Sequence, residues 1–218
     1  MKLSIAKAIG VTVALAGLSG GAIAAATTAN GATTSGAGTT ASAVTTASVP
    51  ALDAGKLSFV RQGWSKSGVA RTGTEVPKGW TKALLSWDEA QFRSPNGVWN
   101  LRVHGFRGHH QPPQTTAAAV NAKIKALKGK NNFRVLSIVT GVTKTMVLHG
   151  QAYNTRTMTY TYTDAKGNTR LVIDRFFNGS GVGSNIASDE IAAAGRVQDR
   201  VGLHKLVDRA TGAFYVVG

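Results

Sequence analysis

The chain has 218 residues, 43% of them hydrophobic, which is room for one ordinary domain with a real core and too apolar for disorder throughout. It carries 25 Lys and Arg against 10 Asp and Glu, a formal charge of +15, and no cysteine. Disulfides, thiolate metal sites, a cysteine nucleophile and cysteine lipidation are thereby excluded, while the positive field favours polyanionic partners at the same time as it keeps the chain in solution.

Lys2 and Lys7 precede the apolar run Ala8–Leu18, and small residues ending in Ala22-Ile23-Ala24 follow. This order predicts a secretory signal peptide over 1–24, too short and too broken by Gly10 and Gly17 to remain as a membrane span. Its removal takes away two lysines and no acid and leaves a charge of +13. Residues 25–50 are almost wholly Ala, Thr, Gly and Ser, which predicts a flexible linker, and 51–218 is expected to be a single domain. Export without cysteine inclines the source towards bacteria.

Within the domain, "KLSFVRQGW" predicts a first strand, and Pro95-Asn96-Gly97 predicts a turn. Trp99, Leu101 and Val103 then alternate with Asn100, Arg102 and His104, the period of a strand with one buried face. A helix is predicted over 116–128, with Ala117, Val120, Ile124 and Leu127 on one stripe. Lys123, Lys125, Lys128 and Lys130 cluster around its end, where cations suit the helix dipole.

"FRVLSIVTGV" and "TKTMVLHGQAYN" are expected to be two short strands. A hairpin follows, whose first arm sets Thr157, Thr159, Thr161 and Thr163 in a comb. With Asp164 to Gly167 as its loop, Thr163 is expected opposite Asn168, Tyr160 opposite Leu171 and Met158 opposite Ile173. That register places the threonines on one face with Val172 and Phe176, under a helix. Ser188 with Asp189 and Glu190 predicts a helix start and a long helix towards Ala210, and "AFYVV" predicts a last strand.

Pro77, Gly79 and Trp80 in a Pro-x-Gly-Trp opening, Phe92, Pro95 and Gly97 in a Phe-x-x-Pro-x-Gly turn, and the aromatic hairpin closing on Asp174-Arg175 carry a resemblance. Residues 76–177 resemble the PsbP-like extracytoplasmic domains of high-GC Gram-positive bacteria, found in exported proteins and in kinase-associated ectodomains. The resemblance implies an α+β fold, an antiparallel sheet flanked by helices as an α/β/α sandwich, and a family of binding and assembly modules without shared catalytic residues. After Phe177 the resemblance implies a strand and a closing helix, whereas this sequence reads there as a glycine-rich loop and a long Arg-rich helix.

No Gly-x-Ser-x-Gly elbow occurs, and the Gly-rich "GSGVGSN" lacks the Lys-Ser/Thr ending of a phosphate loop. His104, His109 and His110 are the candidate metal ligands. Three imidazoles on a loop with Arg107 among them do not fix tetrahedral geometry, so neither metal nor cofactor is expected. Trp64, Trp80, Trp87 and Trp99 predict core rather than a stacking platform.

The sequence therefore predicts a non-enzymatic binding or assembly module, secreted or held at the cell envelope. An acidic envelope polymer or protein is the expected partner, with Arg102, Arg107, Lys123, Lys125, Lys128 and Lys130 as candidate binding residues. A secreted hydrolase gathering His104 or His149 with Asp88, Glu89 or Asp174 is the alternative. Nucleic acid or glycan ranks third, and the oligomeric state is left open.

Overall fold

A computed structural model describes residues 49–65, 71–105, 114–147, 151–179 and 183–217. The signal peptide, nearly all of the linker, Arg107, His109, His110 and His149 lie outside the described residues.

Strands β1 (Phe59–Trp64), β2 (Arg71–Pro77) and β10 (Tyr215–Val217) form a small antiparallel sheet in the order β1-β2-β10. The main sheet comprises β3 (Thr81–Leu84), β4 (Glu89–Arg93), β5 (Asn100–His104), β6 (Arg134–Lys144), β7 (Ala152–Thr163), β8 (Thr169–Phe177) and β9 (Asp189–Gly195). Its order is β3-β4-β5-β9-β8-β7-β6, antiparallel throughout. Helix α1 (Thr116–Leu127) covers one face and helix α2 (Arg200–Gly212) the other, so the chain is an α+β domain layered as an α/β/α sandwich.

Two apolar clusters fill the two sides of the sheet. Ala119, Val120 and Leu127 of α1 press on Met158, Tyr160, Val172, Phe176 and Ala194. Opposite them, Leu203, Leu206, Val207 and Ala210 of α2 pack on Leu171, Ile173, Phe177, Ile191 and Ala193, joined by Trp64, Trp80, Phe92 and Leu101. Trp64 and Trp80 are thus core residues, while Trp99 is only partly buried, beneath the Arg196 guanidinium 5.9 Å from its ring centre.

Several predicted elements hold. Gly97 turns at φ +67° after Pro95 and Asn96. Helix α1 starts at the predicted Thr116, capped by Thr115, which in extended conformation accepts a hydrogen bond from the Ala118 amide.

Three expectations are corrected. The hairpin pairs Thr163 with Thr169, Tyr160 with Val172 and Met158 with Asp174, one residue from the predicted register. The Asp164 carboxylate accepts from the amides of Lys166 and Asn168, and Gly167 sits at φ +82°, so a glycine bulge takes Asn168 into the loop. Thr157, Thr159 and Thr161 therefore share the α2 side with Leu171, Ile173 and Arg175 rather than with Val172 and Phe176. Thr157 and Thr159 are buried there, the cover expected for the comb.

Next, Arg134–Lys144 is one long strand; Thr143 and Lys144 end it, and Tyr153 and Asn154 belong to its partner β7. Last, the stretch after Ser188 starts as a strand and not a helix. β9 is hydrogen-bonded on both sides, to β5 and to β8, and its run of small side chains lets both helical layers approach. The Asp189 carboxylate accepts from the Gly179 amide and the Ser188 hydroxyl instead of capping a helix. The predicted helix survives only from Arg200.

Candidate functional site

The register of the central strands puts Arg102, Ala192 and Asp174 in one row on the α1 side of the sheet, with His104 and Glu190 one step along. Lys123 descends from α1 onto this row. Its Nζ lies 3.2 Å from Asp174 Oδ2 and donates to Glu190 Oε1, while Arg102 Nε donates to Glu89 Oε1.

Asp174 is fully buried, and neither of its oxygens accepts a well-aligned hydrogen bond from the described residues. Lys123 acts on it as a charge. Burial, reinforced by the like charge of Glu190 and opposed by Lys123, pushes the Asp174 carboxyl up to about 7. Burial alone would lower the Lys123 ammonium, but Asp174 and Glu190 carry it above its ordinary value. Burial works the same way on Arg102, and Glu89 and Glu190 outweigh it and hold the guanidinium above its ordinary value. Burial, then the charges of Asp174 and Glu190, raise the Tyr160 phenol. The cluster is a desolvated ion network in which Lys123 ties α1 to β8 and β9.

This placement divides the predicted anion-binding residues. Lys123 turns towards internal carboxylates and leaves the predicted basic surface, while Arg102 pairs with Glu89 with its side chain still 38% exposed. Lys125 and Lys128 are exposed and Lys130 half-buried, all by the C-terminal end of α1. The sequence did hold the signal for Lys123: it stands three residues after Val120 and four before Leu127, on the buried stripe.

His104 Nε2 lies 3.3 Å from Asp88 Oδ2, and Ser86 donates its hydroxyl to Asp88 Oδ1. Burial would raise the Asp88 carboxyl, yet its bonds with His104 and Ser86 hold it below the usual range. The carboxylate sits between serine and histidine. In a nucleophilic triad the histidine occupies the middle, where it takes the serine proton, so this trio lacks the order that catalysis needs. Among the described residues no group of three His, Cys, Asp or Glu side chains is placed to hold a metal.

The outer surface of the sheet is a feature that the sequence did not expose. β6 closes the sheet order, and Val135, Leu136, Ile138, Val139 and Val142 along it are all exposed. Its register with β7 sends Ile138 and Val142 to the α1 side with Met158 and Asn154, and Val139 to the α2 side with Thr157. Arg134 and Lys144 mark its two ends, and Arg156 of β7 donates to Thr140 Oγ1 at its middle. A long apolar edge rimmed by cations is the arrangement here best suited to binding another molecule.

Solved structures similar to the chain include two of low identity. Cyanobacterial PsbP (CyanoP) from Synechocystis is 15% identical with a TM-score of 0.44, covering 72% of this chain and 92% of its own. The Ran-binding protein Mog1p from Saccharomyces cerevisiae is 12% identical with a TM-score of 0.44, covering 72% and 96%. No family model and no curated protein matches the chain. No helix among the described residues is long and apolar enough to cross a membrane.

Proposed function

We propose that this protein is an exported, non-enzymatic binding or assembly module that meets an acidic envelope polymer or protein. The observation that carries this reading is the exposed strand β6, eleven residues long, with Arg134 and Lys144 at its ends and no acid within it. The export half rests on Lys2, Lys7, the apolar run Ala8–Leu18 and the Ala22-Ile23-Ala24 site. The ion pairs beneath α1, Lys123 with Asp174 and Glu190 and Arg102 with Glu89, support a structural role for these groups.

Such a module holds its partner partly through charge. The immobilised full chain should therefore retain acidic envelope fractions at about 0.1 M salt and release them at about 1 M, where the screening length falls from about 10 Å to about 3 Å. No retention at low salt, or retention indifferent to salt, overturns the reading.

A further inference from the structure

The main sheet ends unequally. At one edge β3 has four residues and carries Lys82, a short, charged edge of the kind that discourages pairing. At the other, β6 has eleven residues, roughly 36 Å of strand, and one neighbour among the described residues. A bulge between Val135 and Ser137 interrupts the ladder near its start, after which Ser137 to Lys144 runs in unbroken register with β7. That stretch presents its outward backbone groups together with Ile138, Val139 and Val142, which are 43%, 58% and 67% exposed. The exposure falls on both faces of the edge, so the chemistry matched is that of another strand and not of a helix laid on one face.

The charges select among strands. The two outermost strands, β6 and β7, contain Arg134, Lys144 and Arg156 and not one Asp or Glu. A second copy of this chain is a poor match: antiparallel pairing centred on Val139 would bring the Arg134 end of one copy beside the Lys144 end of the other at both ends, cation near cation with no acid in either strand to offset them. An acidic strand meets no such penalty.

We propose that the open edge of β6 is a strand-addition site for an extended segment of another protein in which apolar side chains alternate with acidic ones. This rests on the binding-module reading and names its face and the chemistry of its partner. Backbone pairing supplies the attachment, Ile138 and Val142 supply apolar contact on the one face they share, and the cations at the ends of β6 set the preference for acid.

The test is fluorescence anisotropy of the full chain with a labelled short peptide of alternating valine and glutamate, with a valine and lysine peptide as its counterpart. Val139→Glu combined with Val142→Glu changes two exposed side chains, and circular dichroism checks that the fold is kept. The expected result is binding of the glutamate peptide alone, weakened roughly tenfold or more in the double variant because like charges then face each other. Equal binding of both peptides, or of the glutamate peptide by both forms of the protein, overturns the proposal. Sedimentation showing a dimer that the double variant dissolves also overturns it, in favour of a second copy. Retention of acidic envelope fractions that survives Val139→Glu with Val142→Glu removes the β6 assignment and leaves the binding-module reading standing.

Discussion

Lys123→Met is the sharpest probe of the network beneath α1. Methionine keeps the length and apolar stem of the lysine, so packing against the sheet is largely preserved and the charge alone is lost. Lys123 Nζ lies 3.2 Å from the fully buried Asp174 and also serves Glu190. Removing one member of a buried ion pair costs about 3–5 kcal/mol, a large share of a typical domain's stability. Asp174 has one escape, which is to fold protonated. With the folded carboxyl at about 7, the unmodified protein already holds that proton at about pH 5.5 and lacks it at about pH 8.5, where taking it up costs about 2 kcal/mol. The escape therefore caps the Asp174 deficit at about 2 kcal/mol at the higher pH and leaves little of it at the lower, where both proteins fold protonated. Urea unfolding of the full chain at both pH values measures it, and the melting temperature should fall by roughly 4–8 °C at the higher pH. Lys125→Met, one exposed step along the same helix, is the reference and should stay within about 0.5 kcal/mol of the unmodified protein. If Lys123→Met matches Lys125→Met at about pH 8.5, the network reasoning is wrong.

Asp174→Asn isolates the carboxyl itself. Because the folded Asp174 carboxyl titrates at about 7 and its ordinary value is 3.8, the native state holds a proton that the unfolded state has released, and stability is lost as pH rises through that window. The asparagine variant should gain on the unmodified protein by up to roughly 4 kcal/mol between about pH 4 and about pH 8, by urea unfolding, and a constant difference would contradict the burial argument. Gly202→Ala should cost about 1–3 kcal/mol or more by thermal melting, since a Cβ there would stand 2.0 Å from the Leu52 carbonyl oxygen. Arg196 donates to the carbonyls of Val49 and Pro50 and to both oxygens of Asp199. Arg196→Ala should therefore release the entry segment, seen as faster proteolysis near Leu52 while cleavage elsewhere in the domain is unchanged.

Where local chemistry decides, the structure was legible in the sequence. Gly97 after Pro95 and Asn96, the alternation through Leu101 and Val103, and the apolar stripe through Val120 and Leu127 all translate directly into a turn, a strand and a helix. Where the rest of the fold decides, it was not. The stretch from Asp189 to Gly195 carries an acidic start and three alanines, helical on propensity, and becomes a strand because pairing with β5 and β8 outweighs preferences of a few tenths of a kcal/mol per residue. The hairpin register turned on one bulge at Gly167, which shifted every facing pair and moved the threonine comb to the other layer. Lys123 looked like a surface cation because its carboxylate partners lie far off in the chain, at Asp174 and Glu190. An acid amid the apolar run Leu171–Phe177 is the sequence mark of that network, since such a residue is buried with a counter-charge or not at all. The edge at β6 could not be read at all: its valines and isoleucine look the same in a central strand, and only the order of the sheet makes them a surface.

Backbone amide hydrogen exchange along β6 tests the central claim, an open edge built to take another strand, most directly. In the free full chain, alternate amides between Ser137 and Lys144 should exchange quickly while those of the doubly paired β8 and β9 stay protected, and the alternating valine and glutamate peptide should slow the fast set. Protection of every β6 amide in the free chain, or no change on adding the peptide, would contradict it.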